Sequence, residues 1–103
     1  MRVVHHPEAQ SELIEAAQYY EAKVAGLGAR FLDGVDFAVS EILEAPTRNR
    51  VHLNGVRHHL MQRFPFAIYY KVHAEEIRIL AFKHHSRHPD YWRYRLHTPA
   101  KEA

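Results

Sequence analysis

Hydrophobic and polar positions alternate with period two through most of the second half of the chain. A period of two in segments that contain β-branched and aromatic residues is typical of strands. It predicts three strands here, at residues 56–63, 67–73 and 77–82. Within the last of them, Ile77, Ile79 and Ala81 are expected to share one face. The two links between the strands are too short for a crossover connection, so we expect an antiparallel meander.

The first half of the chain has the period of helices instead. Apolar residues recur at helical spacing from Pro7 to about Lys23, and Pro7 suits a first turn, where its missing N–H is not needed. After a break at residues 26–28 (Gly-Leu-Gly), a second apolar stripe continues to about Glu44, and Pro46 then stops the helix. Because the link is short, the two helices are expected to form an antiparallel hairpin.

The order of elements defines the fold class. A short strand at residues 2–5 precedes the hairpin, and a polar loop is expected at 47–54. The order β-α-α-β-β-β predicts an α+β fold, with the helical hairpin packed on one face of a mainly antiparallel sheet. The other face is expected to remain open and basic. We expect one domain at residues 1–95 and a disordered tail at 96–103.

Composition excludes several classes of protein. The 103 residues include no cysteine, which excludes a disulfide framework and thiol chemistry. No apolar run is long enough to span a bilayer, and the first residues lack the apolar centre of a secretory signal. We therefore expect a cytoplasmic protein with no membrane partner.

Charge is divided unevenly along the chain. Up to Pro46, three basic residues stand against eight acidic ones, a net charge of −5, whereas from Thr47 eleven stand against four, a net charge of +7. A basic sheet beside acidic helices indicates a polyanionic target or an acidic partner on the sheet side. Such a division also arises by chance in small proteins.

The residues after the last strand carry the densest candidate chemistry. Ten of the thirteen residues at 83–95 are basic or aromatic. Together with two arginines of the sheet they give the candidate target-binding residues, which are Arg57, Arg63, Lys83, His85, Arg87, Tyr91 and Trp92. Two alternatives stay open: the arginines could form a solvated face, and the tail aromatics could pack the tail on the sheet.

Ten histidines raise the question of a metal site. Adjacent histidines on a strand point to opposite faces, so no such pair chelates a metal by itself. His58 and His84 could meet across strands, but the cysteines or carboxylates at the usual spacing are missing. We expect neither a metal nor another cofactor.

Six segments, in this order and spacing, connect the chain with a known family. They are AAQYY (16–20), GLGARF (26–31), GVR (55–57), RFPFAIYY (63–70), LAFKH (80–84) and RHPDYW (87–92). From residue 2 to about 94 the chain resembles toxins of the RelE/ParE superfamily, from bacterial type II toxin–antitoxin modules. The resemblance implies the α+β fold above and a cognate antitoxin, whose C-terminal segment folds on the toxin. The acidic side chains of that segment would contact Arg57 and Arg63, or its apolar side chains would contact the helical hairpin.

The superfamily has two modes of action. The RelE-like branch cuts messenger RNA in the ribosomal A site, and the ParE-like branch poisons DNA gyrase. The segments FPFAIYY and HPDYW are more similar to the ParE-like side. DNA gyrase is therefore the first expected target, the ribosome with mRNA is the alternative, and a decayed toxin that only binds its antitoxin is a third interpretation.

Whether the protein is an enzyme is left open by the sequence. An RNase without metal needs a base, an acid and a cation that stabilises the charged phosphorane. Here that set would be Arg57, Arg63, His85, Arg87 and Tyr91. The RelE-like branch typically has an arginine after the aromatic residue that opens the third strand, but in this chain Ala67 follows Phe66. This departure favours the gyrase hypothesis.

Overall fold

The computed structural model describes residues 1–97, which form one five-stranded sheet, two α-helices and a 3₁₀ helix. In chain order the elements are β1 Arg2–His5, α1 Pro7–Lys23, α2 Leu27–Glu44, β2 Val51–Leu53, β3 Val56–Leu60, β4 Phe66–His73, β5 Glu76–His84 and the 3₁₀ helix Arg93–His97. The α+β fold and the two helices are confirmed. Residues 98–103, most of the expected disordered tail, lie outside the described residues.

The sheet has the order β1-β5-β4-β3-β2. Strand β1 is parallel to β5, and every other pair is antiparallel, so β3, β4 and β5 are the predicted meander. Its first strand ends earlier than predicted, at Leu60. The short strand at the start of the chain thus lies beside the last strand, and β2 forms the opposite edge.

Strand β2 lies where a polar loop was predicted, so that prediction was wrong. The strand has only three residues, too few for an alternation to be visible, and it pairs with β3 through the contacts Val51–Arg57 and Leu53–Val56. Its signal was the turn Asn54-Gly55, whose residues have φ values of +52° and +78°. Asn-Gly between two strands is the preferred sequence of a two-residue hairpin turn.

A β-bulge in β5 changes which side chains face the helices. Tyr69 pairs with Ala81 but Tyr70 pairs with Ile79, so Leu80 is the extra residue. Ile77 and Ile79 face the helical hairpin, whereas Ala81 lies in the core on the opposite face. The prediction that Ala81 shares their face was wrong, because strict alternation does not hold across a bulge.

The first core lies between the hairpin and the sheet. Helix α1 begins at Pro7 after His6, whose Nδ1 accepts a hydrogen bond from the N–H of Glu8 at 3.1 Å. Helix α2 buries the inner residues of the predicted stripe, which are Phe31, Val35, Ala38 and Ile42. These pack on Ile68, Tyr70, Ile77, Ile79 and Phe82 of the sheet.

A second core covers the other face of the sheet, so the prediction of an open basic face was wrong. The tail folds back over this face, and Trp92 is fully buried there. The sheet residues beneath it are Val56, Ala67, Tyr69, Leu80 and Ala81. Five largely apolar positions need a cover, and the tail supplies it. Leu96, in the segment expected to be disordered, also packs on this core.

Among residues 1–97, no helix is both long enough and apolar enough to cross a membrane.

Candidate target-binding surface

Arg57 does not lie on an open face. It lies on the helix side of β3, and its Nη1 donates to the carbonyl oxygen of Thr47 at 3.1 Å and to that of Asn49. The Asn49 side chain donates to the Tyr70 hydroxyl at 3.0 Å, which donates to the carbonyl of Pro46 at 2.9 Å. Arg57 therefore fixes the loop between α2 and β2.

Four exposed basic residues gather at one end of the sheet. Two loops meet there: residues 61–65 between β3 and β4, and residues 85–90 after β5. The N–H of His85 donates to the carbonyl of Pro65 at 2.9 Å, which fixes one loop against the other. We call this end of the sheet the basic corner and define it by its exposed residues Arg63, His85, Arg87 and His88.

Arg87 lies over the ring of Tyr91 beside the basic corner. The Arg87 guanidinium carbon lies 4.0 Å from the centre of the Tyr91 ring, a cation–π contact. The Tyr91 hydroxyl donates to Glu12 at 2.6 Å. Burial, together with this hydrogen bond, raises the pKa of Tyr91 far above its ordinary value. Tyr91 therefore remains protonated at neutral pH and cannot serve as a base.

A buried ion pair that was not predicted from the sequence fastens the tail to α1. Arg95 is 4% exposed, and its two terminal nitrogens each donate to a Glu12 oxygen at 3.0 Å. Burial by itself lowers the pKa of Arg95, but the hydrogen bond to Glu12 together with the charges of Glu12, Tyr91 and Glu8 outweighs it and raises the pKa. The partners are 83 residues apart, so no local pattern could have paired them.

The remaining two predicted residues are buried. Lys83 is 7% exposed, and its Nζ donates to the carbonyl of His84 at 3.2 Å. The indole N–H of Trp92 donates to the carbonyl of Pro89 at 2.7 Å. Of the seven predicted residues, the structure thus places three at the basic corner, which are Arg63, His85 and Arg87.

An apolar groove of about 640 Å³ adjoins the basic corner. It runs between α2 and the loop at residues 61–65, and Leu27, Phe37, Met61 and Phe64 line it. Phe37 is 53% exposed although it is aromatic. The rim carries charges of both signs, from Arg30, Arg63, Asp33 and Glu41. The geometry fits an amphipathic segment of another chain.

The histidines do not assemble into a metal site. In residues 1–97, no group of three or more His, Cys, Asp or Glu side chains is placed to hold a metal ion. His58 stacks on Tyr69 on the tail side of the sheet, whereas His84 packs against Phe66 of the first core. These two histidines therefore do not meet across the strands.

Comparison with known proteins places the chain in a family. The sequence model described as "ParE toxin of type II toxin-antitoxin system, parDE" matches residues 3–89, from β1 to the loop of the basic corner. A solved structure described as "Chromosomal ParDE TA system from P. aeruginosa" has a similar fold, with a TM-score of 0.60 and 22% identity over 82% of this chain and 95% of that chain. A search of curated proteins gave no match. The chain belongs to the family of ParE toxins of type II toxin–antitoxin systems.

Proposed function

We propose that this protein arrests bacterial growth by poisoning DNA gyrase and that a cognate antitoxin neutralises it. Membership of the ParE toxin family supports the gyrase branch of the superfamily. The proposal requires no catalytic set, only an exposed surface that engages the target. The basic corner is such a surface.

One observation carries the choice between gyrase and the ribosome: the position at which the RelE-like branch has an arginine is Ala67, which is buried in the core beneath the tail. That position therefore offers no cation to a charged phosphorane. Of the candidate RNase residues, Arg63, His85 and Arg87 gather at the basic corner with Tyr91 beside it. Arg57 is instead engaged by the carbonyls of the loop at 47–49, and the Tyr91 hydroxyl donates a hydrogen bond to Glu12.

The antitoxin docks in the groove along α2. Its apolar rows of Leu27, Phe37, Met61 and Phe64 would accept the apolar face of a segment that folds on binding. The mixed charges on the rim would fix the direction of that segment by pairing with charges of opposite sign. Because Arg63 belongs to both the groove and the basic corner, a bound segment would also cover part of the target-binding surface.

The test follows two reactions with one preparation of purified toxin. In the first, gyrase and supercoiled plasmid are incubated with toxin, and trapped double-strand breaks are measured on gels after protein digestion. In the second, a bacterial translation extract is used, and transcripts are mapped for cuts at ribosome-bound codons. We expect breaks in the first reaction and intact transcripts in the second, with breaks abolished by added antitoxin.

Cut transcripts without plasmid breaks would overturn the proposal in favour of the ribosome-dependent RNase. No effect in either reaction, with folded toxin, would favour a protein that acts only as the antitoxin's partner.

A further inference from the structure

The basic corner lies where two segments without acidic residues meet. Residues 77–89 contain no Asp or Glu, and neither do residues 56–74. Of the four arginines in these segments, Arg78 pairs with Glu76 and Arg57 is engaged by the carbonyls of Thr47 and Asn49. Arg63 and Arg87 are exposed and form no ion pair with any residue of the described range 1–97. This imbalance points to an anionic partner.

The loops that carry the corner are held in place before any partner binds. Phe66 pairs with His84 in the ladder, and the His85–Pro65 hydrogen bond continues it beyond the strands. His84 stabilises the turn after β5 with two hydrogen bonds. Its Nδ1 accepts from the N–H of Ser86 at 3.0 Å, and its carbonyl accepts from the N–H of Arg87 at 3.0 Å. Preorganised cations lose little side-chain and loop entropy on binding.

The Arg87 guanidinium is held by a ring that is itself fixed. Its central carbon lies 4.0 Å from the centre of the Tyr91 ring, and the Tyr91 hydroxyl donates a hydrogen bond to Glu12. A cation–π contact leaves the N–H groups of a guanidinium available, and their fork matches the two oxygens of a phosphate.

We propose that the basic corner binds the phosphate backbone of duplex DNA, with Arg63 and Arg87 as its two principal contacts. Phosphates are recognised by exposed cations without any need for base contacts. Single-stranded nucleic acid is instead held by exposed rings on which its bases stack. In the described part of the tail, the Tyr91 ring is in contact with Arg87 and Trp92 is buried, so of its three rings only Tyr94 is exposed.

This inference deepens the proposed function and rests on it for its biological meaning. Gyrase holds DNA while it cleaves it, and a toxin that contacts that DNA through the corner would stabilise the cleaved state. DNA binding itself is measurable without gyrase, so the two proposals can fail separately.

The experiment uses full-length toxin and a short fluorescent DNA duplex of mixed sequence, with anisotropy recorded over a series of salt concentrations. The test variant carries Arg63→Ala and Arg87→Ala. The matched control carries Arg2→Ala and Arg78→Ala, which removes the same charge at the opposite end of β5, about 26 Å away for a nine-residue strand. Circular dichroism establishes that both variants are folded.

We expect the test variant to bind the duplex about tenfold more weakly than the wild type, and its slope of log K against log salt to fall by about two, or ~0.9 for each lost phosphate contact. The control should change the Kd by less than about threefold. Equal loss in both variants would overturn the assignment, because binding would then depend on net charge alone. Tighter binding to single-stranded RNA than to the duplex would also overturn it.

The gyrase reaction with the same three proteins separates this inference from the proposed function. If only the test variant loses duplex binding, the inference holds. If in addition the wild-type toxin produces no breaks with gyrase, the inference still holds and the proposed function is wrong. If wild-type toxin and test variant trap equal amounts of cleaved DNA and neither binds the duplex, the inference is wrong, the proposed function stands, and gyrase itself is the surface recognised.

Discussion

At the scale of single residues, Glu12 joins more of the fold than any local pattern indicates. Its Oε1 accepts from Arg95 at 3.0 Å and from the backbone N–H of Phe82 at 3.1 Å, and its Oε2 accepts from Arg95 and from Tyr91. A carboxylate has about four acceptor sites, so each is used. Arg95 also donates to the carbonyl of Leu80 at 3.0 Å. Glu12 and Arg95 thus provide hydrogen-bond partners for the backbone of β5 beyond the end of β1, at the N–H of Phe82 and the carbonyl of Leu80.

Replacement of Glu12 by alanine is expected to lower the free energy of unfolding by about 3 kcal/mol, because the buried Arg95 would keep only the half-exposed Glu8, 3.3 Å away, as its counter-charge. Urea unfolding followed by tryptophan fluorescence measures this, since Trp92 lies in the core that the tail covers. The control is Glu15→Ala, an exposed position on the same helix, expected to change stability by less than about 0.5 kcal/mol. A loss below ~1 kcal/mol for Glu12→Ala would contradict the role given to the ion pair.

His58 predicts how stability depends on pH. Burial, and then the nearby His52, Lys83 and His59, lower the pKa of His58 from its ordinary value of 6.5. Protonation therefore favours the unfolded chain, and the contribution of His58 is complete above pH 6.5 and declines as the pH falls below it. We expect the melting temperature to fall from pH 7.5 to pH 5.5, and less steeply in His58→Phe, which keeps a ring against Tyr69. An equally steep fall in the variant would exclude His58 as a cause.

At the scale of elements, the helices were predictable and parts of the sheet were not. Helical spacing is a local property, so Pro7–Lys23 and the end of α2 at Glu44 followed from residues close in sequence. The bulge at Leu80 depends on which residues of β4 lie opposite, and the alternation within β5 alone does not show that pairing. Because the bulge was not predicted, the second apolar face of the sheet was not predicted either.

The two helices approach most closely at Gly28, and this predicts the effect of adding one methyl group. A Cβ there would lie 2.7 Å from the carbonyl oxygen of Ala17 and 3.0 Å from the Cβ of Glu21, and the backbone carbonyl cannot move aside. Glu21 also accepts hydrogen bonds from the N–H groups of Gly26 and Gly28, at 2.9 and 3.0 Å. Gly28→Ala should therefore lower stability by about 1–3 kcal/mol, measured by thermal unfolding.

A matched glycine on the same helix gives the control for Gly28→Ala. At Gly34 an added Cβ would meet only the flexible end of Met61, at 3.2 Å, and the ring of Phe64, at 3.6 Å. The higher helix propensity of alanine offsets up to ~1 kcal/mol of that crowding. If the two substitutions were equally destabilising, helix contact at Gly28 would not be the explanation.

At the scale of the whole molecule, the sheet is covered on both faces, and the proposed target-binding surface lies at one end of it. Of the seven candidate residues named from the sequence, only Arg63, His85 and Arg87 are exposed together. The exposure of Lys83, Tyr91 and Trp92 depends on the path of the tail, and that of Arg57 on the loop at 47–49, and neither path is visible in a local pattern. Glu12 fixes the path of the tail from the other half of the chain.

The groove along α2 gives a prediction for the complex with antitoxin. Phe37→Asp should weaken antitoxin binding by about tenfold or more, because it places a charge in an apolar contact, and should leave the fold intact, since Phe37 is half exposed. Calorimetric titration of toxin with antitoxin measures it. Tyr19→Asp, at an aromatic residue of similar exposure on α1, is the control. Equal affinities of wild type and Phe37→Asp would exclude the groove as the docking site.

The ion pair between Glu12 and Arg95 cannot form until residue 95 has been synthesised, so it also determines when the fold is completed. During synthesis, the first helix leaves the ribosome long before residue 95 does, and until then the tail cannot cover its face of the sheet. A nascent chain therefore exposes apolar sheet surface, and Arg87 lacks the ordered Tyr91 on which it stacks. Chains that the ribosome releases before this point are expected to be inactive and readily degraded. Toxic activity is therefore expected only from chains that include the tail.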